Sequence, residues 1–271
     1  MEPRSYLFVP GDRPARFGKA LASGADVVVL DLEDAVAESA KATARQAIAQ
    51  AVRALPAADA ARIAVRINAV GSTEHEQDLR LVRALPLAAL MLPKAEDAVT
   101  LAALHAQLPN MALLPLCESA LGVAQAASLA AAPGVQRLVF GTLDYALDLG
   151  LDLEADLAPL DQAAAQLVLA SRLAACAAPV AGVTPQLGDA ARLQADTTWA
   201  LRRGFGAKLC IHPDQVAPLH AALAPSPEAL AWAARVIAAD AASPGAARLD
   251  GRMVDRPVVL QAQRTLARAG R

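Results

Sequence analysis

The sequence predicts an α/β fold of the (β/α)8 class, a TIM barrel, followed by a C-terminal helical and lid extension. Three observations predict it. Short aliphatic runs alternate with helical periods eight times, with short connections between them. The runs are apolar at nearly every position, as parallel strands covered on both faces require. Charged and amide side chains then collect where the runs end, at the mouth of such a barrel. A chain of 271 residues suits one barrel plus a tail, since about 250 residues complete the fold.

The first beat is an apolar run over 5–10, broken by Pro10-Gly11, and a helix over 13–22. A second run, 26–30, delivers the acids of Asp31-Leu32-Glu33-Asp34 at its end, and a long helix spans 38–55. The strand expected over 63–68 holds Arg66 among aliphatic residues and ends on Asn68, ahead of a helix over 74–85. Strand 88–93 ends at Lys94 and leads into a helix over 97–108. The fifth strand starts at 113 and delivers Glu118; an Ala-rich helical segment follows, then an apolar run from 135 that reaches Asp144. A Leu- and Asp-rich loop, a helix over 158–177, a strand over 179–183, a helix over 189–203 and a strand over 207–211 complete the alternation at His212-Pro213. Beyond the barrel a helix over 226–240, a small-residue linker over 241–251 and an amphipathic stretch over 258–269 form the extension, so the domain boundary is expected after 225.

A net charge of −2 without a basic stripe argues against nucleic acid as a partner. Cys117, Cys176 and Cys210 are an odd set without ligand spacing, each in an apolar segment, and read as buried thiols of a reducing, cytoplasmic compartment. Met1-Glu2-Pro3-Arg4-Ser5 lacks the form of a signal peptide, and no apolar run reaches the roughly 20 residues of a membrane helix. A soluble protein without a membrane partner is expected.

Glu118 and Asp144 hang from neighbouring strands at one mouth. Two hard oxygen donors without a nearby His or Cys suit an octahedral Mg²⁺ that keeps several waters for a substrate to displace. On position alone this weighs evenly against Asp144 capping the following helix and Glu118 pairing with an arginine. Arg66 needs an acid or an anionic ligand inside its strand, and a ligand is favoured over a pair with Glu33 or Asp34. Asp31, Glu33 and Asp34 then orient the waters of a metal. For Lys94 an ion pair is preferred to a Schiff base, and for His212 a loop-holding role to proton transfer.

The segments Arg4-Ser5-Tyr6-Leu7-Phe8-Val9-Pro10-Gly11-Asp12-Arg13-Pro14, Val28-Val29-Leu30-Asp31-Leu32-Glu33-Asp34, Val65-Arg66-Ile67-Asn68, Leu92-Pro93-Lys94-Ala95-Glu96, Glu118-Ser119-Ala120-Leu121-Gly122, Phe140-Gly141-Thr142-Leu143-Asp144 and Gly206-Ala207-Lys208-Leu209-Cys210-Ile211-His212-Pro213 carry a resemblance. In this order, over nearly the whole chain, they resemble the citrate lyase β-subunit-like CoA-ester lyases of the HpcH/HpaI aldolase superfamily. The resemblance implies a barrel, a homotrimer, Mg²⁺ on Glu118 and Asp144, and Arg66 holding a 2-keto acid. Asp250-Gly251-Arg252-Met253-Val254-Asp255-Arg256-Pro257 is similar to a lid motif that packs on a neighbouring subunit, which makes Asp255 the acid/base. Phe8, Pro10, Arg13 and Lys19 lie where, on this resemblance, the first strand's loop would receive CoA, with Arg13 and Lys19 suited to its phosphates; a role as ordinary surface cations weighs evenly against it. Ala181-Gly182-Val183 departs from relatives that carry an acid before the glycine, so no contact is assigned there. The activity implied is cleavage of a citramalyl-, malyl- or citryl-CoA type ester to acetyl-CoA and a 2-keto acid. A metal-dependent aldolase on free hydroxy-keto acids, or a non-catalytic or carrier-dependent subunit of a larger complex, are the alternatives.

Overall fold

Eight parallel strands close in sequence order into a barrel in the computed structural model, which describes residues 2–243 and 247–269. They are β1 (Ser5–Pro10), β2 (Val27–Asp31), β3 (Ile63–Arg66), β4 (Ala89–Leu92), β5 (Ala112–Cys117), β6 (Val139–Phe140), β7 (Val180–Ala181) and β8 (Ala207–Cys210). The helices between them are α1 (Phe17–Ala22), α2 (Lys41–Ala54), α3 (Ala57–Ala60), α4 (His75–Arg83), α5 (Ala98–Gln107), α6 (Ala120–Ala124), α7 (Ala126–Ala131), α8 (Thr142–Leu149), α9 (Asp161–Leu173) and α10 (Ala190–Arg203). The TIM-barrel expectation holds, and each strand falls within its expected run or one residue beyond it.

The barrel core is a period-two selection from every strand: Tyr6, Val27 and Val29, Ala64, Ala89 and Met91, Leu114 and Leu116, Val139, Val180, Ala207 and Leu209. Successive strand residues point to opposite faces, so the alternate set packs inside while Val28, Leu90 and Leu113 face the helices. The same alternation carried one step towards the strand ends selects Phe8, Asp31, Arg66, Glu118, Gly141 and Gly182. That layer is where the polar groups begin. At the opposite end Arg137 is fully buried; its guanidinium donates to the carbonyls of Pro3 and Ala178 and lies over the Tyr6 ring, 5.8 Å from its centroid. Its burial was not foreseen.

Several local expectations need correction. The segment after Asp144 is helix, not loop, and α8 already begins at Thr142, so Asp144 sits in its first turn. The Ala-rich segment forms two short helices, α6 and α7, with Gln125 between them. The helix expected over 158–177 stops at Leu173, and α3 was not anticipated. Cys176 is only half-buried, whereas Cys117 and Cys210 are buried as expected, and all three are free.

The chain divides into two compact units, Glu2–Leu219 and His220–Arg271. The division falls inside α11 (Val216–Leu223), ahead of the boundary expected after 225. The second unit contains α12 (Pro227–Ala242), strands β9 (Ala247–Leu249) and β10 (Arg252–Val254), and α13 (Arg256–Ala269). Ala233, Val236, Ala247, Val254 and Ala262 form its core. The small-residue segment 241–251 is therefore not simply a linker. Its residues 244–246 lie outside the described ones, and β9 pairs antiparallel with β10 across Asp250 and Gly251, both with positive φ as a two-residue primed turn demands. No helix among the described residues is long and apolar enough to cross a membrane.

Candidate active site

Glu118 stands one residue past β5, 4% exposed, and its Oε1 accepts the backbone N–H of Lys94 at 2.7 Å. Lys94 adopts the left-handed backbone region, φ 48°, at the exit of β4. Such a conformation costs a non-glycine residue about 1–3 kcal/mol, and here it accompanies an N–H directed at a buried carboxylate. Gly141, just beyond β6, makes room for that carboxylate: a Cβ there would lie 2.5 Å from Glu118 Cβ and 2.7 Å from its Oε2. Asp144 is half-buried in the first turn of α8. Burial pushes the Glu118 carboxyl up to about 8; the Lys94 N–H and Arg66 oppose the rise, and the charges of Glu33 and Asp144 add to it.

Arg66 is held by acids. Cross-strand register sets Asp31 opposite it on β2, and the two make a bidentate pair, Nε to Oδ1 at 2.7 Å and Nη2 to Oδ2 at 2.6 Å. Nη1 lies 2.9 Å from Glu33 and 3.9 Å from Asp34, and the guanidinium covers the Phe8 ring 4.9 Å from its centroid. The acid pairing weighed for Arg66 is therefore present, with Asp31 as its main partner and Glu33 as the second. Burial opposes the Arg66 charge, but the hydrogen bonds and charge of Asp31 outweigh it and hold its pKa above the ordinary range. Glu33 keeps two cations close, yet its burial outweighs both. Its carboxylate oxygens accept no hydrogen bond among the described residues, and burial lifts its carboxyl to about 7. Lys94 Nζ stands 3.7 Å from Glu33, an ion pair of the kind expected.

The acidic loop after β2 is fixed from behind. Asn68 Nδ2 donates to Leu32 O at 2.9 Å and to Asp78 Oδ2 at 2.6 Å, while Lys41 Nζ donates to Asn68 Oδ1. Arg45 closes the network on Asp78 and Glu74. Asp31 itself accepts the N–H groups of Glu33 and Ala35, which ties the turn to the side chain that grips Arg66.

A cation would be received well at this mouth. Glu118 is a carboxylate whose ionised form is disfavoured by burial, and an adjacent positive charge relieves that. Asp144 supplies a second hard oxygen donor. Among the described residues no cluster of three His, Cys, Asp or Glu side chains could hold a metal, so an ion here would draw its remaining ligands from water or substrate, the habit of Mg²⁺.

Beside the mouth, a cavity of about 400 Å³ is lined by Phe8, Pro10, Arg16, Lys19 and His212 among others. Three of the four residues expected to receive CoA therefore meet there. Arg13 does not line it: it is exposed and lies 3.6 Å from Asp12. Arg16 takes the place given to Arg13, a position that helical spacing from Lys19 (i, i+3) could have singled out. His212 caps the turn that follows, its Nδ1 accepting the Asp214 N–H, in the structural role preferred for it. In the second unit Asp255 is exposed at the start of α13 and accepts the Val258 N–H at 3.2 Å. Cys117 and Cys210 are protonated and inert, burial pushing each thiol up to about 12.

Residues 4–213 match the family model described as HpcH/HpaI aldolase/citrate lyase. A citrate lyase subunit beta-like protein of Mycobacterium tuberculosis is 39% identical over 271 residues, covering 98% of this chain and 95% of that protein. A (3S)-malyl-CoA thioesterase of Cereibacter sphaeroides is 32% identical over 270 residues, covering 98% and 94%. Among solved structures, M. tuberculosis CitE in complex with magnesium, acetoacetate and coenzyme A superposes with a TM-score of 0.89 at 36% identity, covering 99% of this chain and 98% of that one. CitE with magnesium and pyruvate superposes with a TM-score of 0.78 at 31% identity, covering 97% and 98%.

The two raised carboxyls set a pH dependence. Glu33 and Glu118 titrate near 4.5 when unfolded and at about 7 and about 8 when folded, so through that window the folded chain holds more protons and stability falls as pH rises. Thermal unfolding of cation-free protein is expected to show a lower midpoint at pH 8 than at pH 6, with the slope reduced in Glu118→Gln; an equal slope in that variant contradicts the assignment. Gly141→Ala is expected to keep the circular dichroism of the barrel while altering the same slope, because its methyl group displaces the Glu118 carboxylate.

Proposed function

The chain belongs to the HpcH/HpaI aldolase/citrate lyase family, and from that premise we propose that it is a carbon–carbon lyase cleaving a 3-hydroxy-3-carboxyacyl-CoA to acetyl-CoA and a 2-keto acid by reversible Claisen chemistry. Citramalyl-, malyl- and citryl-CoA define the substrate class. The observation that carries the reading is the buried Glu118 carboxylate at the barrel mouth, beside Asp144 and the Asp31–Arg66 pair. Magnesium and coenzyme A in the CitE complexes support it.

Glu118 and Asp144 would hold Mg²⁺ in this reading, with Glu33 and Asp34 orienting its waters; Asp31, expected to share that task, has both oxygens taken by Arg66 and by the N–H groups of Glu33 and Ala35 and acts instead by fixing Arg66. The ion, when bound, supplies a Lewis acid that polarises the carbonyl of the keto acid. Arg66 faces the same oxygens and balances the charge that develops on them, and its bidentate grip on Asp31 keeps the guanidinium from swinging to follow the substrate. Phe8, Pro10, Arg16 and Lys19 receive the CoA moiety, the two cations facing its phosphates. Asp255, from the lid of another copy in a homotrimer, would take a proton from the acetyl-CoA methyl group in condensation and pass it to the new 3-oxygen; in cleavage the proton runs back, from the 3-hydroxyl to Asp255 and on to the enolate carbon as the carbon–carbon bond breaks. A thioester α-proton is a weak acid, so the lid also has to keep water away from that carboxylate.

Purified full-length protein is incubated with Mg²⁺ and each of the three CoA esters, with acetyl-CoA, keto acid and free CoA thiol measured separately. Acetyl-CoA with one equivalent of keto acid is expected. Free thiol without keto acid would mean hydrolysis, turnover of a CoA-free hydroxy-keto acid an aldolase, and no turnover by the isolated chain a carrier-dependent subunit. Glu118→Ala is expected to remove Mg²⁺-dependent turnover altogether. Asp255→Asn is expected to leave Mg²⁺ and keto-acid binding intact while lowering kcat by at least about 10²-fold, the scale of a lost general base; an unchanged rate removes Asp255 from the chemistry.

A further inference from the structure

Lys208 has no part in the chemistry above, yet it is fully buried on β8. Its neighbours in the strand, Ala207 and Leu209, pack inside the barrel, so Lys208 points outward, and its Nζ donates to Gly182 O at 2.6 Å just past β7. Gly182 in turn abuts the start of α8: a Cβ on it would overlap Thr142 Oγ1 and lie 2.6 Å from Thr142 Cγ2. Thr142 opens the helix whose first turn carries Asp144.

The same region has a second hold on that helix. Asp196 on α10 accepts Thr184 Oγ1 at 2.7 Å and Arg192 Nε at 2.8 Å, and its charge acts on Lys208. Arg192 donates onward to the carbonyls of Glu154 and Leu153, at 2.8 and 2.9 Å, in the loop that follows α8. Gln215 Nε2 secures Thr184 O at 2.8 Å. The exit loop of β7 is thus tied at Gly182 O, Thr184 O and Thr184 Oγ1, while α8 itself leaves Leu143 and Leu147 exposed and is packed inward through Tyr145 and Ala146. The helix start is set against Gly182 through Thr142, and its middle packs through Tyr145 and Ala146.

We propose that Lys208 is a positioning residue for Asp144, acting through Gly182 O and the close contact of Gly182 with Thr142. The inference rests on the reading of Asp144 as a metal ligand. A lysine that only neutralises Asp196 would support stability and leave metal affinity untouched; a lysine that sets the height of the β7 exit loop controls where α8 begins.

The test is Mg²⁺ titration calorimetry on metal-free full-length protein, with Mn²⁺ as a paramagnetic substitute, beside thermal unfolding. Lys208→Met keeps most of the volume and removes the donor; it is expected to bind Mg²⁺ about 10-fold or more weakly, the usual loss when a ligand's support is removed. Gly182→Ala is expected to weaken binding in the same way by pushing on Thr142, and adding Thr142→Ala to it to restore part of the affinity. Wild-type affinity in folded Lys208→Met, wild-type affinity in Gly182→Ala, or a Gly182→Ala defect that Thr142→Ala does not relieve, each overturns the inference alone. If Lys208→Met does not fold, the Gly182/Thr142 set decides. If wild-type protein takes up no Mg²⁺ or Mn²⁺, the metal reading falls and the inference with it.

Discussion

Taking the Glu118 carboxylate out of water at the top of a closed barrel imposes a cost that the neighbouring elements are shaped to meet. Lys94 accepts an unfavourable backbone geometry while its N–H reaches Oε1, and position 141 forgoes a side chain so that the carboxylate fits. Glu33 and Asp144 add negative charge, and burial outweighs the cations that stand near. Buried carboxyls that resist ionisation, titrating at about 7 and about 8, ionise more readily beside a cation, so affinity for one follows from the protein's own electrostatics.

How much of this could be read from the chain depends on the range of the interaction. Strands β1 to β8 were legible because a parallel strand covered on both faces leaves a local mark, an unbroken aliphatic run such as Val27-Val28-Val29-Leu30. The acids and cations at the strand ends were legible for the same reason. The partner of Arg66 was not: Asp31 faces it through the β2–β3 register, a relation across 35 residues that no local pattern records. The onset of α8 is hidden in the sequence because Val139-Phe140-Gly141-Thr142-Leu143 is apolar enough to read as continuing strand, with the glycine that breaks it inside the run. The β9–β10 hairpin was more accessible, since Asp250-Gly251 is a turn signal, but the surrounding alanines masked it.

Arg137 at one end of the barrel and Arg66 at the other show two ways of keeping a guanidinium out of water. Arg66 is neutralised by carboxylates and remains next to a charged mouth. Arg137 rests on main-chain carbonyls and the Tyr6 ring, at the end away from the site. Buried arginine by itself is therefore no marker of chemistry in this fold; what separates the two is whether surplus acid surrounds the cation.

The hairpin that precedes Asp255 also bears on time. Val254 and Ala247 are part of the core of the second unit, and Asp255 follows Val254 directly, so this carboxylate is anchored to a folded body rather than to a loose tail. Displacing its backbone means displacing that body, and collective displacements of that kind belong to the microsecond-to-millisecond scale. A catalyst that relies on Asp255 would carry that slower clock into both directions of its reaction.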